Sequence, residues 1–308
     1  MRVGFIGLGT MGSNMALNVR AAGYDIVVND IRREASAPHL QAGASWGDSA
    51  RKVAEEADIV FTSLPGPREV EEVALAEEGL LAGMGRGTAW FDLSTNSPTV
   101  VRRLHERFTE KGVAMLDSPV SGGPAGAKSR KLALWVSGDK AAFDRHKPVL
   151  DAIGDQAMYV GPIGAGTVAK LVHNTAGYAI LAALAEVFTL GVKAGVEPLA
   201  LWQAVRQGAF GRRRTFDRLA EQFLPGLFDP PAFALKLAHK DITLATELGR
   251  ELNVPLRIAA LVHEELTEAL NRGWADRDSR IFMLLQEERA GVNIAVPADE
   301  IQEALARG

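Results

Sequence analysis

The N-terminal segment restricts the fold most. An apolar run, Arg2-Val3-Gly4-Phe5-Ile6, breaks into Gly7-Leu8-Gly9-Thr10-Met11-Gly12 and then into a stretch that carries Met15, Ala16, Val19 and Ala22 before Gly23. A short apolar run bounded by glycine is a buried strand, and apolar residues three or four apart mark a helix, so the order is strand, glycine turn, helix. The next run, Asp25-Ile26-Val27-Val28-Asn29-Asp30, is a second strand ending in a carboxylate, at about the 20-residue distance where a dinucleotide fold places its ribose ligand. Each part has a physical task in that setting. Gly7 permits the tight turn, Gly9 lets the backbone, with Thr10 and Met11 in the same loop, approach a pyrophosphate, and Gly12 lets helix and strand pack closely. Asp30 accepts hydrogen bonds from ribose hydroxyls and repels a 2′-phosphate, which favours NAD; Arg32 and Arg33 just beyond it keep NADP as the alternative.

Further apolar runs at 58–64, 89–93, 113–117 and 132–136 alternate with helical stretches. They are too continuously apolar to have a wet face, which predicts an α/β domain of the Rossmann type, a doubly wound parallel sheet with helices on both faces. Ligands of such sheets bind beyond the carboxyl ends of the strands. The loops there are Leu64-Pro65-Gly66-Pro67, Ser94-Thr95-Asn96-Ser97-Pro98 and Ser118-Pro119-Val120-Ser121-Gly122-Gly123, and Leu64, Pro65 and Thr95 are candidate cofactor contacts. Thr95 or Asn96 would equally cap the helix that follows Pro98. Ser121-Gly122-Gly123 offers successive backbone N–H groups in a glycine turn, an anion nest suited to a carboxylate.

After Gly161-Pro162-Ile163-Gly164-Ala165-Gly166 the pattern changes to a long apolar helix, expected over 167–194 and roughly 40 Å in length. It divides the chain into a dinucleotide-binding domain, 1–164, and an all-helical domain, 165–308, with helices expected at 197–207, 215–224, 232–252, 255–272 and 278–289. Lys170 and Asn174 are four residues apart, so they share one face of the first turns of the long helix, where a lysine can handle a proton and an amide can hold a substrate. Lys240-Asp241, as a bare pair, is a solvated helix face. Net charge is −4 over 308 residues and the basic residues are dispersed except at Arg130-Lys131 and Arg212-Arg213-Arg214, so nothing points to nucleic acid. There is no cysteine and no paired histidine spacing, so a metal site is not expected. Absence of a signal-like start and of an apolar run of about 18 residues predicts a cytoplasmic protein outside the membrane.

Four separated motifs resemble the β-hydroxyacid dehydrogenase family: Gly7-Leu8-Gly9-Thr10-Met11-Gly12, Asp117-Ser118-Pro119-Val120-Ser121-Gly122-Gly123, Gly164-Ala165-Gly166-Thr167-Val168-Ala169-Lys170-Leu171-Val172-His173-Asn174, and Lys240-Asp241. The resemblance covers nearly the whole chain. It implies hydride transfer between NAD(P) and a small anionic β-hydroxy acid or its semialdehyde, with Lys170 as acid/base, Ser121, Gly122, Gly123 and Asn174 holding substrate, Thr95 and Lys240 beside the cofactor, and a homodimer or homotetramer. Two departures stand out. Arg130-Lys131 replaces a glycine-threonine step common in the family, and His173 an asparagine often found there. If either basic cluster faces the substrate, it would favour a second anionic group. The other readings are a non-catalytic NAD-binding module and an imine reductase-like enzyme, which generally lacks the lysine; 6-phosphogluconate dehydrogenases carry a much longer helical domain. A general base for a hydroxyl proton, with a pKa brought towards neutrality by desolvation and a neighbouring cationic ring, is what the oxidation needs. Replacement of Lys170 by alanine or methionine is therefore expected to retain cofactor binding while removing most turnover, measured as binding of reduced cofactor beside kcat.

Overall fold

The computed structural model describes residues 1–208, 211, 217–253 and 255–307, with the side chains of residues 186, 187, 190, 217 and 307 outside the description. The chain forms two compact units, Met1–Val172 and His173–Gly308.

In the first unit, β1 (Arg2–Ile6) is followed by α1 (Thr10–Ala21), β2 (Asp25–Asn29), α2 (Ala37–Gln41), β3 (Ser45–Trp46), α3 (Ala50–Glu56), β4 (Ile59–Thr62), α4 (Pro67–Leu75) and α5 (Leu80–Gly83). Then come β5 (Ala89–Asp92), α6 (Pro98–Glu110), β6 (Ala114–Asp117), β7 (Val120–Ser121), α7 (Gly123–Ser129), β8 (Ala133–Ser137), α8 (Lys140–Ile153) and β9 (Gln156–Gly161). The strands join in the order β3-β2-β1-β4-β5-β6-β8-β7, with β9 on β8. From β3 to β6 every pairing is parallel, for example Phe5↔Phe61 and Phe61↔Phe91. This is the strand order of a dinucleotide-binding sheet.

β8 corrects the expectation of a wholly parallel sheet. It runs antiparallel to β6, through Asp117↔Ser137, and to β7, through Ser121↔Ala133, while β9 is parallel to it. β6 and β7 pair with β8 in one unbroken antiparallel register, from Asp117↔Ser137 to Ser121↔Ala133, so the chain runs straight on past Ser118-Pro119 and reverses only over α7, a direction that strand composition cannot reveal. β3, β7 and β9 are additions to the sequence reading. Two are only two residues long, too short to show as apolar runs; β9 carries the short apolar run Ala157-Met158-Tyr159-Val160 but leaves Gln156 and Met158 exposed.

Both faces of the sheet are covered. On one, Phe5, Phe61 and Phe91 form an aromatic row, with centroid spacings of 6.0 and 5.5 Å, beneath Met15 and Val19 of α1 and Val149, Leu150 and Ile153 of α8. On the other, Val60, Trp90 and Met115 lie under Val53 and Ala54 of α3 and Leu104 and Phe108 of α6. Because successive residues of β4 and β5 serve opposite faces, all are buried, which explains the lack of polar alternation. The Trp90 ring packs 4.7 Å from Phe108 and its Nε1 donates to Thr62 Oγ1 at 2.9 Å, so its one polar atom is satisfied.

α9 (Ala165–Lys193) is one continuous helix whose first turns belong to the first unit and the remainder to the second. The second unit continues with α10 (Pro198–Gln207), α11 (Leu235–Glu251), α12 (Arg257–Asn271), α13 (Leu284–Ala290) and α14 (Ala298–Arg307). Its core holds Phe188, Trp202, Phe223, Leu235, Ile242, Val262, Leu266 and Phe282. Of the expected helix at 215–224, residues 215 and 216 lie outside the described residues, and the rest is a 3₁₀ turn at Asp217–Ala220 followed by turns. Asp278 also changes the local structure from that expected. It starts a 3₁₀ turn, Ser279–Met283, and its buried carboxylate accepts from Arg280 N and Ala232 N at 3.0 Å each, so α13 begins only at Leu284.

Candidate active site

The glycine loop after β1 is shaped by contacts that admit no side chain. Gly7 has φ +93°, and a Cβ there would lie 2.3 Å from Ser63 O; a Cβ on Gly12 would lie 1.9 Å from Gly7 O. Gly9, between them, has open space in the direction of a Cβ. The loop is thus closed on its protein side and open over Gly9, the geometry a pyrophosphate needs to approach backbone amides, so these residues fit a nicotinamide dinucleotide. Thr10 is exposed and Met11 half-buried at the start of α1.

Asp30, just beyond β2, accepts from Leu8 N at 2.6 Å and from Arg32 N at 2.8 Å. One carboxylate therefore ties the glycine loop to the end of the second strand. Arg32 Nε lies 3.7 Å from Asp30, and Arg33 extends over the Trp46 ring, 5.4 Å from its centroid, with Asp48 at 3.7 Å.

Leu64 and Thr95 are half-buried and Pro65 exposed, in the loops after β4 and β5. A buried residue that the sequence did not single out, Asp92, organises both loops. Asp92 accepts from Thr62 Oγ1 at 2.9 Å, Ser94 N at 3.1 Å and Asn96 Nδ2 at 2.9 Å, and Ser94 Oγ in turn accepts from Leu64 N at 2.9 Å. This corrects the capping expectation for the next helix: α6 takes Ser97 as its N-cap residue without a side-chain bond, and Asn96 faces Asp92 instead. The carboxylate at the end of an apolar strand was the signal available in the sequence.

Beyond β6, Ser121 is held by strand pairing to Ala133, and Gly122 and Gly123 follow with φ of +137° and +63°. A Cβ on Gly122 would meet Leu132 and the Lys131 carbonyl at 2.9 and 3.0 Å, whereas none of the described residues comes within 4 Å of that of Gly123. The turn is accordingly one-sided, like that at Gly9. Arg130 and Lys131 are exposed; Arg130 adopts φ +59° at the end of α7 and its Nε donates to Asn18 Oδ1 of α1 at 3.3 Å. Arg212, Arg213 and Arg214 lie outside the described residues.

Lys170 is half-buried, one turn into α9. In the second unit, Asn174 Nδ2 donates to Asp241 Oδ2 at 2.5 Å, and its Oδ1 lies 3.0 Å from His173 Nδ1. Asp241 is buried and Lys240 Nζ lies 2.9 Å from its other oxygen, so the Lys240-Asp241 pair is more than a solvated face: it orients the Asn174 amide. Tyr178, one turn after Asn174, has its hydroxyl pKa pushed well up, first by burial and then by the Asp241 charge, so it stays a neutral phenol.

A family model described as the NAD binding domain of 6-phosphogluconate dehydrogenase matches residues 2–161, and one described as NAD-binding of NADP-dependent 3-hydroxyisobutyrate dehydrogenase matches 164–285. The chain is 34% identical over 295 residues to 2-(hydroxymethyl)glutarate dehydrogenase of Eubacterium barkeri, covering 96% of this chain and 98% of that one. It is 37% identical over 267 residues to 3-hydroxyisobutyrate dehydrogenase of Pseudomonas aeruginosa, covering 84% and 89%. A crystal structure of 3-hydroxyisobutyrate dehydrogenase from Salmonella typhimurium superposes with a TM-score of 0.81 at 29% identity, over 92% of this chain and 99% of that one.

Burial raises the Asp92 pKa, and the hydrogen bonds from Ser94, Asn96 and Thr62 only partly offset it. The native state then holds a proton that the unfolded chain has already released, so this group lowers stability as pH rises from 3.8 through its folded value. Urea unfolding at a series of pH values should show the stability of Asp92→Asn gaining on wild type as pH rises through that window. A constant difference across it would show that Asp92 does not titrate there.

The open glycine turns, the strand order and these matches agree: the chain belongs to the β-hydroxyacid dehydrogenase family, whose enzymes are NAD(P)-dependent oxidoreductases acting on CH–OH groups.

Proposed function

We propose that this dehydrogenase interconverts a small β-hydroxy acid and its semialdehyde with NAD in preference to NADP, with Lys170 as the acid/base. One observation carries the reading: the Gly7–Gly12 loop, the Ser121–Gly123 turn and the start of α9 all lie at the carboxyl ends of strands of one sheet. When bound there, a nicotinamide dinucleotide supplies the hydride or accepts it. The chain does the rest. Gly7, Gly9, Thr10, Met11 and Gly12 hold the pyrophosphate, Asp30 the ribose, and Leu64, Pro65, Thr95 and Lys240 border the cofactor. The backbone N–H groups at Ser121, Gly122 and Gly123 bind the substrate carboxylate. Lys170 Nζ takes the hydroxyl proton in oxidation and returns it in reduction. Asn174, four residues on along α9, uses one N–H for Asp241 and has a second on the same nitrogen for the reacting oxygen. The domain division that goes with these roles is 1–164 and 165–308.

The preference for NAD rests on Asp30 and on its arginine neighbours. Arg32 is paired with Asp30, and Arg33 is drawn to Trp46 and Asp48, so both guanidinium groups have acidic partners of their own. The reading extends to a cytoplasmic homodimer or homotetramer. The sequence expectation of no long apolar segment needs correction, because Ala165–Ala185 of α9 has mean hydropathy 1.2 and only 22% of that window is buried. Val172 and Ile180 are exposed on α9, and Leu237, Leu244 and Leu248 of α11 remain half-buried, apolar surface suited to a second copy.

Absorbance of reduced nicotinamide with NAD and with NADP, against 3-hydroxyisobutyrate, glycerate, L-serine and the dicarboxylate 2-(hydroxymethyl)glutarate, tests the chemistry. Turnover of at least one member with NAD is expected, with at least a tenfold lower kcat/KM for NADP, the equivalent of about 1.4 kcal/mol. Equal use of both cofactors would remove the Asp30 argument. Light scattering at micromolar concentration should return a multiple of 33.0 kDa.

A further inference from the structure

The N-terminus of α9 has no capping side chain of its own, because the residue before Ala165 is Gly164. Its leading N–H groups are met from the sheet instead. Asp117, the last residue of β6, accepts from Gly164 N at 2.8 Å, Thr167 N at 2.6 Å and Thr167 Oγ1 at 2.8 Å, and also from Ser137 Oγ. Ser137 Oγ accepts from Gly166 N at 2.9 Å, so it relays the same anchor to a third backbone group. Asp117 is only 1% exposed. Gly166 makes the close approach possible: a Cβ there would lie 2.2 Å from Trp135 O and 3.1 Å from Asp117 O.

The helix is thus tied down in depth by Gly166 and in rotation and height by a carboxylate that bonds on both sides of it. Lys170 follows Thr167 by three residues, one turn further along the same helix. Charge-assisted bonds to a buried carboxylate are short and directional, so they fix the backbone that sets where a lysine Nζ can reach. We propose that Asp117 is a positioning residue for Lys170, holding the first turns of α9 in the register that catalysis needs. The inference rests on the assignment of Lys170 as the acid/base. Asp117 touches neither proton nor hydride, and its effect passes through the lysine.

A double-mutant cycle separates this role from general stability. Asp117→Asn keeps the shape but replaces one acceptor oxygen by an NH2 that faces a donor, and should lower kcat on the best substrate of the panel above by about 10- to 100-fold, the effect of a misplacement of roughly 1 Å. Affinity for reduced cofactor, followed by tryptophan fluorescence, should stay within about threefold. In the Lys170→Ala background the same substitution should change the residual rate by less than about threefold, because the group it positions has gone. Equal losses in both backgrounds would overturn the proposal. Thr167→Val, which removes one bond to Asp117 and leaves the fold's other contacts, should give a smaller loss with the same non-additivity, and decides the matter if Asp117→Asn does not fold. Amide hydrogen exchange is an activity-independent arm: the 164–170 amides should exchange at least tenfold faster in either Asp117→Asn or Thr167→Val, and unchanged protection in both would end the anchoring idea. Failure of the functional reading shows with Asp117 and Thr167 intact, as inactivity of the wild type on every substrate or as full activity of Lys170→Ala, whereas failure of the positioning role shows only when Asp117 or Thr167 is replaced.

Discussion

The first unit depends on burying carboxylates at the ends of its central strands. Asp92 and Asp117 are register partners on β5 and β6, and both are almost wholly removed from water. A buried carboxylate is costly unless donors surround it. Here the donors are backbone, amide and hydroxyl groups: Ser94 N and Asn96 Nδ2 of the loop after β5 around Asp92, and Gly164 N with Thr167 N and Oγ1, which follow β9, around Asp117. The demand for hydrogen bonds at each carboxylate is what gives the adjoining loop a single shape. An apolar strand end would leave those loops without a template.

The same arrangement divides the labour at the site. Rigid groups sit beneath, and backbone that a ligand can approach lies above. Gly7 and Gly12 are pressed against carbonyls of their own unit, while Gly9 and Gly123 have room on the outer side. In the second unit Asp241 plays a comparable part for Asn174, with Lys240 completing the pair. The candidate site groups are therefore oriented by buried acids, so their arrangement is built into the fold.

Much of this was legible because the signals are local. The Gly7–Gly12 spacing, the acid at Asp30 and the continuous apolar runs of β1, β2, β4, β5 and β6 each report on their own few residues. The Lys170 and Asn174 pair was visible for the same reason, as helix spacing alone puts four-apart residues on one face. What escaped depended on distant partners. The direction of β8 is decided by the reversal of the chain over α7 and by pairing with β6 and β7, not by its own apolar residues. Asn96 reads as a cap until Asp92 is seen beneath it, and Asp117 as part of a substrate motif until Gly164 and Thr167 come back to meet it. Lys240-Asp241 reads as solvated until Asn174 is placed against the acid.

The division between the two units falls inside α9, between Val172 and His173. A domain boundary is usually a flexible stretch with few hydrogen bonds, open to proteases and tolerant of insertion. Here every residue at the boundary is in helical backbone. An inserted residue would rotate everything beyond it by about 100° around the helix axis, a consequence of 3.6 residues per turn. The spacing from Lys170 to Asn174 is thereby sensitive to any change in chain length in a way that a spacing across a loop between domains would not be.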